Sequence, residues 1–309
     1  MGNVTATAAP DVFDEDQFPW IVLEFTTTSI FGILLCSIFI VGVRNLAGFG
    51  ANYALTLMIF DNSSTISYYL FNIIGLLSAY FEIDWENQLY WRFIGVPMLA
   101  NTVPSTVSGF LINAHICCFL AYPHLSSRRW TSLVTKITFL VLILSAIIPM
   151  VAMFTPFLGA RFVPFLLTPA LIASLPLSHS FAGALNFLQT YTLWIPIITY
   201  IFIIVYCAKK RRFAVDRMTM QCLTLSFLQL IEYIIMDFVL VIETTAEEVI
   251  IITRFNLWNG IINLIPFLAF NRSIQKELLK VCSQRKRNTS VLIVAPSRNS
   301  SMIRNGMNR

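Results

Sequence analysis

Three carboxylates stand inside apolar runs. Glu232 and Asp237 interrupt "QLIEYIIMDFVL" (229–240), and Asp61 ends "NYALTLMIFD" (52–61). Two such groups on one face could do general acid–base work. Glu232 and Asp237 are five residues apart, which at ~100° per residue sets them about 140° apart around a helix. They cannot form one dyad. The three histidines fare no better as metal ligands, because His115 and His124 are expected on one side of the chain's apolar blocks and His179 on the other. A tetrahedral site needs its ligands at one point. No nucleophile–base pair, phosphate loop or ligand cluster stands out. The expectation is therefore a protein that is not an enzyme, with no catalytic residue, cofactor or metal. What remains for buried carboxylates is binding or structure, since an unpaired charge in apolar surroundings is costly.

The elements that carry these groups follow from composition. The 309 residues are 57% hydrophobic and only 12% charged, with 26 Phe. An average soluble chain carries roughly twice that charged fraction. The apolar residues form seven blocks, at 20–43, 52–80, 94–122, 132–155, 183–208, 219–243 and 250–270. Each reaches or exceeds the ~20 residues that cross a hydrocarbon core. Pro97, Pro104, Pro149, Pro196 and Pro266 fall inside them, which bundled membrane helices tolerate. The expected fold is an all-α membrane protein, a seven-transmembrane helix bundle over 20–270. Residues before Trp20 lack a basic region and an apolar core, so no cleavable signal peptide is expected.

Basic residues set the orientation, because positive loops stay cytoplasmic. Arg44, Arg128, Arg129, Lys136, Lys209, Lys210, Arg211, Arg212, Arg217 and the tail from Arg272 onward share one side. Of the 21 basic residues only Arg92, Arg161 and Arg254 fall on the other, beside acids such as Asp14, Glu24, Glu82, Glu247 and Glu248. The N-terminus (1–19) is thus expected outside. A short amphipathic helix (271–282) and a disordered cytoplasmic tail (283–309) are expected inside. The net charge of +5 reflects loops that face lipid headgroups, not nucleic acid. No cysteine falls in an expected outer loop, so no extracellular disulfide is expected. Asn3-Val4-Thr5 is a glycosylation sequon on the outer side. Cys282, just past the last block, is either a palmitoylation site or a plain free thiol.

Asn52, Leu55 and Asp61 in the second block are similar to the Asn-x-x-Leu…Asp pattern of rhodopsin-like receptors. Asn263 and Pro266 in "NLIPFLAFNRSIQKEL" resemble the Asn-Pro region of that family's last helix. Asp61 and Asn263 lie within one helical turn of each other in expected depth, by ~1.5 Å of rise per residue. The resemblance implies that Asp61, Asn263 and Pro266 share an activation network able to hold a sodium ion. A protonated aspartate satisfied by its neighbours is the alternative. Counting back from Pro123, the acid and arginine positions of the third helix fall on His115 and Ile116, and the sixth block has no proline. With these departures the chain resembles the divergent nematode serpentine chemoreceptor families.

That resemblance implies a ligand cavity in the outer half of the bundle. Glu232 lies roughly 20 Å from the inner end of its block and should face the interior. It is then either a polar anchor of a small aromatic pocket or a protonated group bonded to a neighbouring helix. Its candidate companions are Asn101, Ser105, Tyr191, Trp194 and Asn259, with Thr102, Thr106 and Asn256. Arg128, Arg129, Lys209, Lys210, Arg211 and Arg212 face the cytoplasm, where they hold their loops inside and could meet a G protein. The expected function is a plasma-membrane chemosensory receptor. It would bind a small extracellular molecule, signal through a heterotrimeric G protein by helix rearrangement, and form homo- or hetero-oligomers. The rivals are a ligand-gated channel or transporter, and a non-signalling receptor-like subunit of a heteromer.

Overall fold

The protein is described here by a computed structural model, which defines residues 16–46, 53–83, 87–121, 128–209, 227, 231, 246–262, 264–270, 272 and 274–280. It is mostly helical. The helices are α1 (Phe18–Arg44), α2 (Tyr53–Tyr80), α3 (Gln88–Ala100), α4 (Thr102–Ala121), α5 (Arg128–Met153), α6 (Ser178–Lys209), α7 (Ala246–Ile262) and α8 (Ile265–Phe270). Between α5 and α6 lie two strands, β1 (Ala160–Val163) and β2 (Thr168–Leu171).

The expected helical class holds for most described residues, and the strands are the departure from it. They pair antiparallel, Ala160 opposite Leu171 and Val163 opposite Thr168. Leu167 adopts a positive φ of 52° in the turn between them. The hairpin is not a surface ornament. Phe162 is fully buried, and its ring stacks on Trp91 of α3 with centroids 5.9 Å apart. Gly95 lets the strand approach: a Cβ there would stand 2.2 Å from the Arg161 carbonyl carbon and the Phe162 nitrogen.

The third apolar block differs from expectation at its start and in its middle. It begins at Gln88, where the Asn87 side chain accepts from the backbone N–H groups of Leu89 and Tyr90 and caps the first turn. Arg92 hides this start from a hydropathy reading. Its guanidinium is spent on the carbonyls of Met153 (2.8 Å) and Thr155 (3.2 Å) at the end of α5. The helix then breaks at Asn101, between Pro97 and Pro104. Each proline lacks an N–H, so the carbonyls of Phe93 and Ala100 lose their helical donors. The Thr102 hydroxyl donates to the Leu99 carbonyl at 2.7 Å across the break.

Packing is organised around α2 and α4. α1 lies against α2 and α7, while α2 also meets α3, α4 and α7. α4 meets α5 and α6, and α3 meets both strands and α5. On α1 the buried residues Phe25, Ser29, Gly32, Cys36, Phe39 and Val43 recur every three or four positions and form one stripe. The helical residues 274–280 return to α1. Ile274 is buried, and Leu278 lies over Gly42.

Two helical stretches, Phe18–Arg44 and Leu133–Met153, are long and apolar enough to cross a membrane, and only 33% and 22% of their apolar windows are buried. Exposed apolar residues also line α6. Phe187, Tyr191, Trp194, Ile198, Ile201 and Val205 follow the same three-and-four spacing as one outward stripe. The buried set, by contrast, includes Ser29, Asn62, Asn72, Ser78, Ser108 and Thr253.

Candidate functional site: a carboxylate beside the helix break

The polar groups collect along one side of α2. Asp61 stands a third of the way along that helix, and both hydroxyls that reach it come from α4. Ser105 Oγ donates to Asp61 Oδ1 at 2.7 Å and Ser108 Oγ approaches the same oxygen at 3.0 Å. Ser108 has one proton and a second acceptor, the Ser105 carbonyl at 2.8 Å, so it divides its bond between them. Ser105 and Ser108 are three residues apart and therefore share a helical face. The break at Asn101 precedes them by one turn.

Asn101 joins the same cluster. Its Oδ1 accepts from Ser64 of α2 at 3.2 Å, three residues beyond Asp61. Its Nδ2 is buried and has no protein partner among the described residues. The cluster therefore links α2 to the kinked span at two heights, with Asp61 below the break and Ser64 beside it.

Further along α2 the contacts pass to α1 and α7. The buried Tyr69 hydroxyl donates to the Leu257 carbonyl of α7 at 2.6 Å. Its ring lies between Gly32 of α1 and Gly260 of α7, where an added Cβ would meet ring or hydroxyl atoms at 2.4 and 2.6 Å. Small residues that admit a large partner are how helices approach closely without water to drive them together. Asn72 Nδ2 donates to Ser29 of α1 at 3.0 Å, and Asn72 Oδ1 is buried without a partner among the described residues.

The candidates named from sequence separate here. Asn101 and Ser105 come together with Asp61. Two expectations, a ligand-pocket wall and an activation network, thus meet in one cluster. Asn259 lies on α7 between Leu257 and Gly260, the two residues that meet Tyr69. Tyr191 and Trp194 are each 52% exposed on the outward stripe of α6. Tyr191 packs on Phe187 at 4.2 Å between centroids. Glu232 and Asn263 lie outside the described residues, as do Lys210, Arg211, Arg212, Asn3 and Cys282. Pro266 is in α8, Arg128 and Arg129 open α5, Lys209 ends α6 and His115 is in α4, and all five side chains are outside the described set.

Ser64 and Ser108 were not foreseen, although their spacing carried a signal. Ser64 follows Asp61 by three residues, and Ser108 follows Ser105 by three. The ion pair between Glu24 of α1 and Arg254 of α7 was also not foreseen. Arg254 Nε and Nη2 donate to the two carboxylate oxygens at 2.7 and 2.6 Å, a bidentate geometry.

Asp61 and the two serines form an oxygen-only donor set, the type that hard cations take. Among the described residues no group of three or more His, Cys, Asp or Glu could hold a metal. The chain matches no known protein-family description and no curated protein.

Proposed function

We propose that the chain is a seven-helix plasma-membrane receptor with its N-terminus outside, which senses a small extracellular molecule and signals by helix rearrangement to a heterotrimeric G protein. The observation that carries this reading is Asp61. Its carboxylate sits among the helices rather than at their rim, and its bonds run to the span that breaks one turn away.

An aspartate costs about 2.5–3.5 kcal/mol at the centre of a membrane helix on insertion scales. A chain that keeps one at such a place and satisfies it with hydroxyls from another helix has coupled the position of those helices. If α4 turns, Ser105 and Ser108 leave Asp61 together. That is a two-state element whose balance a ligand could shift by binding one state better. Where a sodium ion is bound, Asp61, Ser105 and Ser108 would hold it, and it would balance the carboxylate charge. The polarity of the chain supports the membrane setting. Beside a mainly apolar core, Ser29, Asn62, Asn72, Ser108 and Thr253 are also buried, and many Leu, Ile and Phe side chains are exposed, more apolar surface than water favours.

The test is ligand-driven signalling in transfected cells across a broad panel of small volatile and soluble compounds. A response in the wild type that Asp61→Ala abolishes at equal surface expression is expected. Silence across the panel with verified surface expression counts against the reading.

A second reading is favoured by one feature. Where a related receptor would carry an acid and an arginine, this chain has His115 and Ile116. A subunit that pairs with a signalling receptor needs neither. Signalling restored only on co-expression with a partner would select it.

A further inference from the structure

Between the starts of α1 and α7 lies an open groove of about 440 Å³, bordered by Trp20, Ile21, Glu24, Ile250, Ile251 and Arg254, with Gln17 at its edge. It is remote from Asp61 and carries the one bidentate ion pair among the described residues. We propose that this groove holds the headgroup of a phosphatidylcholine from the outer leaflet, with the phosphate on Arg254 and the choline against Trp20 and Glu24. The proposal rests on the membrane-spanning reading of α1 and is independent of whether the chain signals.

Depth supports this occupant. Trp20 opens the first apolar block and is 69% exposed, the place and exposure of an interfacial aromatic. Glu24 is one turn further in, about 6 Å at the helical rise. Half the difference between the full bilayer and its hydrocarbon core is about 5–7 Å per leaflet. The pair therefore sits where phosphate meets glycerol.

Charge complementarity supports it as well. The groove presents one cation and one anion, so it suits a zwitterion better than an anionic lipid. The side chains of Arg254 and Glu24 are 42% and 39% exposed despite their mutual bonds. A guanidinium has five N–H donors in a planar fork, and the bonds to Glu24 engage only its Nε and Nη2 edge. Donors therefore remain for phosphate oxygens. The face of Trp20 attracts a quaternary ammonium, which carries its charge without hydrogen-bond donors. Ile251, 37% exposed, offers a surface for the start of an acyl chain.

The test uses the full-length protein purified in an uncharged maltoside detergent. Native mass spectrometry reads lipid retained after adding equal amounts of phosphatidylcholine or phosphatidylglycerol. One phosphatidylcholine per chain is expected, retained at least fivefold over phosphatidylglycerol. Arg254→Gln should lower that retention at least fivefold. Trp20→Leu, at a position too exposed to be needed for folding, should lower it at least threefold. Equal retention of the two lipids would overturn the proposal, as would wild-type retention by Trp20→Leu. Displacement of the lipid by millimolar glycerophosphocholine, the headgroup without chains, would assign the groove to a soluble ligand and overturn it too. A protein that retains phosphatidylcholine yet never signals would sink the proposed function alone.

Discussion

Gly95 and Gly109 lie on either side of the Asn101 break, and adding one methyl should have opposite effects at the two. At Gly95 the new carbon would lie 2.2 Å from backbone atoms of Arg161 and Phe162, which cannot rotate away. Overpacking typically costs about 1–3 kcal/mol, and a backbone obstacle places Gly95→Ala at or above the top of that range. A Cβ added at Gly109 would meet no described atom of a neighbouring element within 4 Å. Gly109→Ala should gain up to about 1 kcal/mol of helix propensity. Thermal unfolding of the detergent-solubilised protein should move in opposite directions for the two variants. The same measurement tests the carboxylate cluster. Ser105→Ala and Ser108→Ala should each cost about 0.6–2 kcal/mol, the range for hydrogen bonds between membrane helices. Because both hydroxyls serve one oxygen, the double variant should depart from the sum of the singles. At this scale the sequence was legible in part. Asp61 and Ser105 stood out as polar residues in apolar blocks, but not that they would meet, since spacing along one helix says nothing of the neighbour it faces. Glu24 and Arg254 are 230 residues apart and were read only as outer-side charges.

Among the elements, helices were the legible part and the hairpin was not. A run of twenty apolar residues announces a helix through length alone, and α1, α2, α5 and α6 have that length. The strands are four residues each, inside "GARFVPFLLTPAL" (159–171), where apolar residues run together without a period-two alternation. A short apolar run of that kind does not distinguish strand from helix. Arg92 was opaque for another reason, because its value lies in two carbonyls more than sixty residues away. It ties α3 to the end of α5, and the hairpin follows directly. Removing it should loosen that corner. Arg161 is exposed on β1 and offers a trypsin site whose cleavage needs the strand to open locally. Arg92→Ala should speed cleavage after Arg161 several-fold in the solubilised protein, with little change in cleavage of the C-terminal tail. An unchanged rate would mean that the stack of Phe162 on Trp91 and the fit at Gly95 hold the hairpin without Arg92.

For the whole molecule the governing quantity is the partition of charge. All but three of the 21 basic residues lie on one set of loop and terminal segments. Two of those three are paired or bonded where they stand, Arg254 with Glu24 and Arg92 with backbone carbonyls. Arg161 is exposed on the hairpin. On the proposed topology, paired or capped cations on the outer side would add less to the retention of their loops than the run Lys209–Lys210–Arg211–Arg212, and the bias would be steeper than a bare count suggests. It predicts that an epitope placed ahead of Met1 is labelled on intact cells, and that one placed after Arg309 is labelled only after permeabilisation. On the proposed seven-span reading, that partition would put Asp61 and its partner helix α4 inside the bilayer and the Phe162 hairpin at its outer face. A ligand arriving from outside would then meet the hairpin before it met the carboxylate. The route between them is α3, gripped at Gly95 by β1 and broken at Asn101 one turn before Ser105. Labelling of the leading epitope only in permeabilised cells would invert that order, put the hairpin in the cytoplasm, and remove the physical reason for reading the kink as the step between an outside signal and an inside surface.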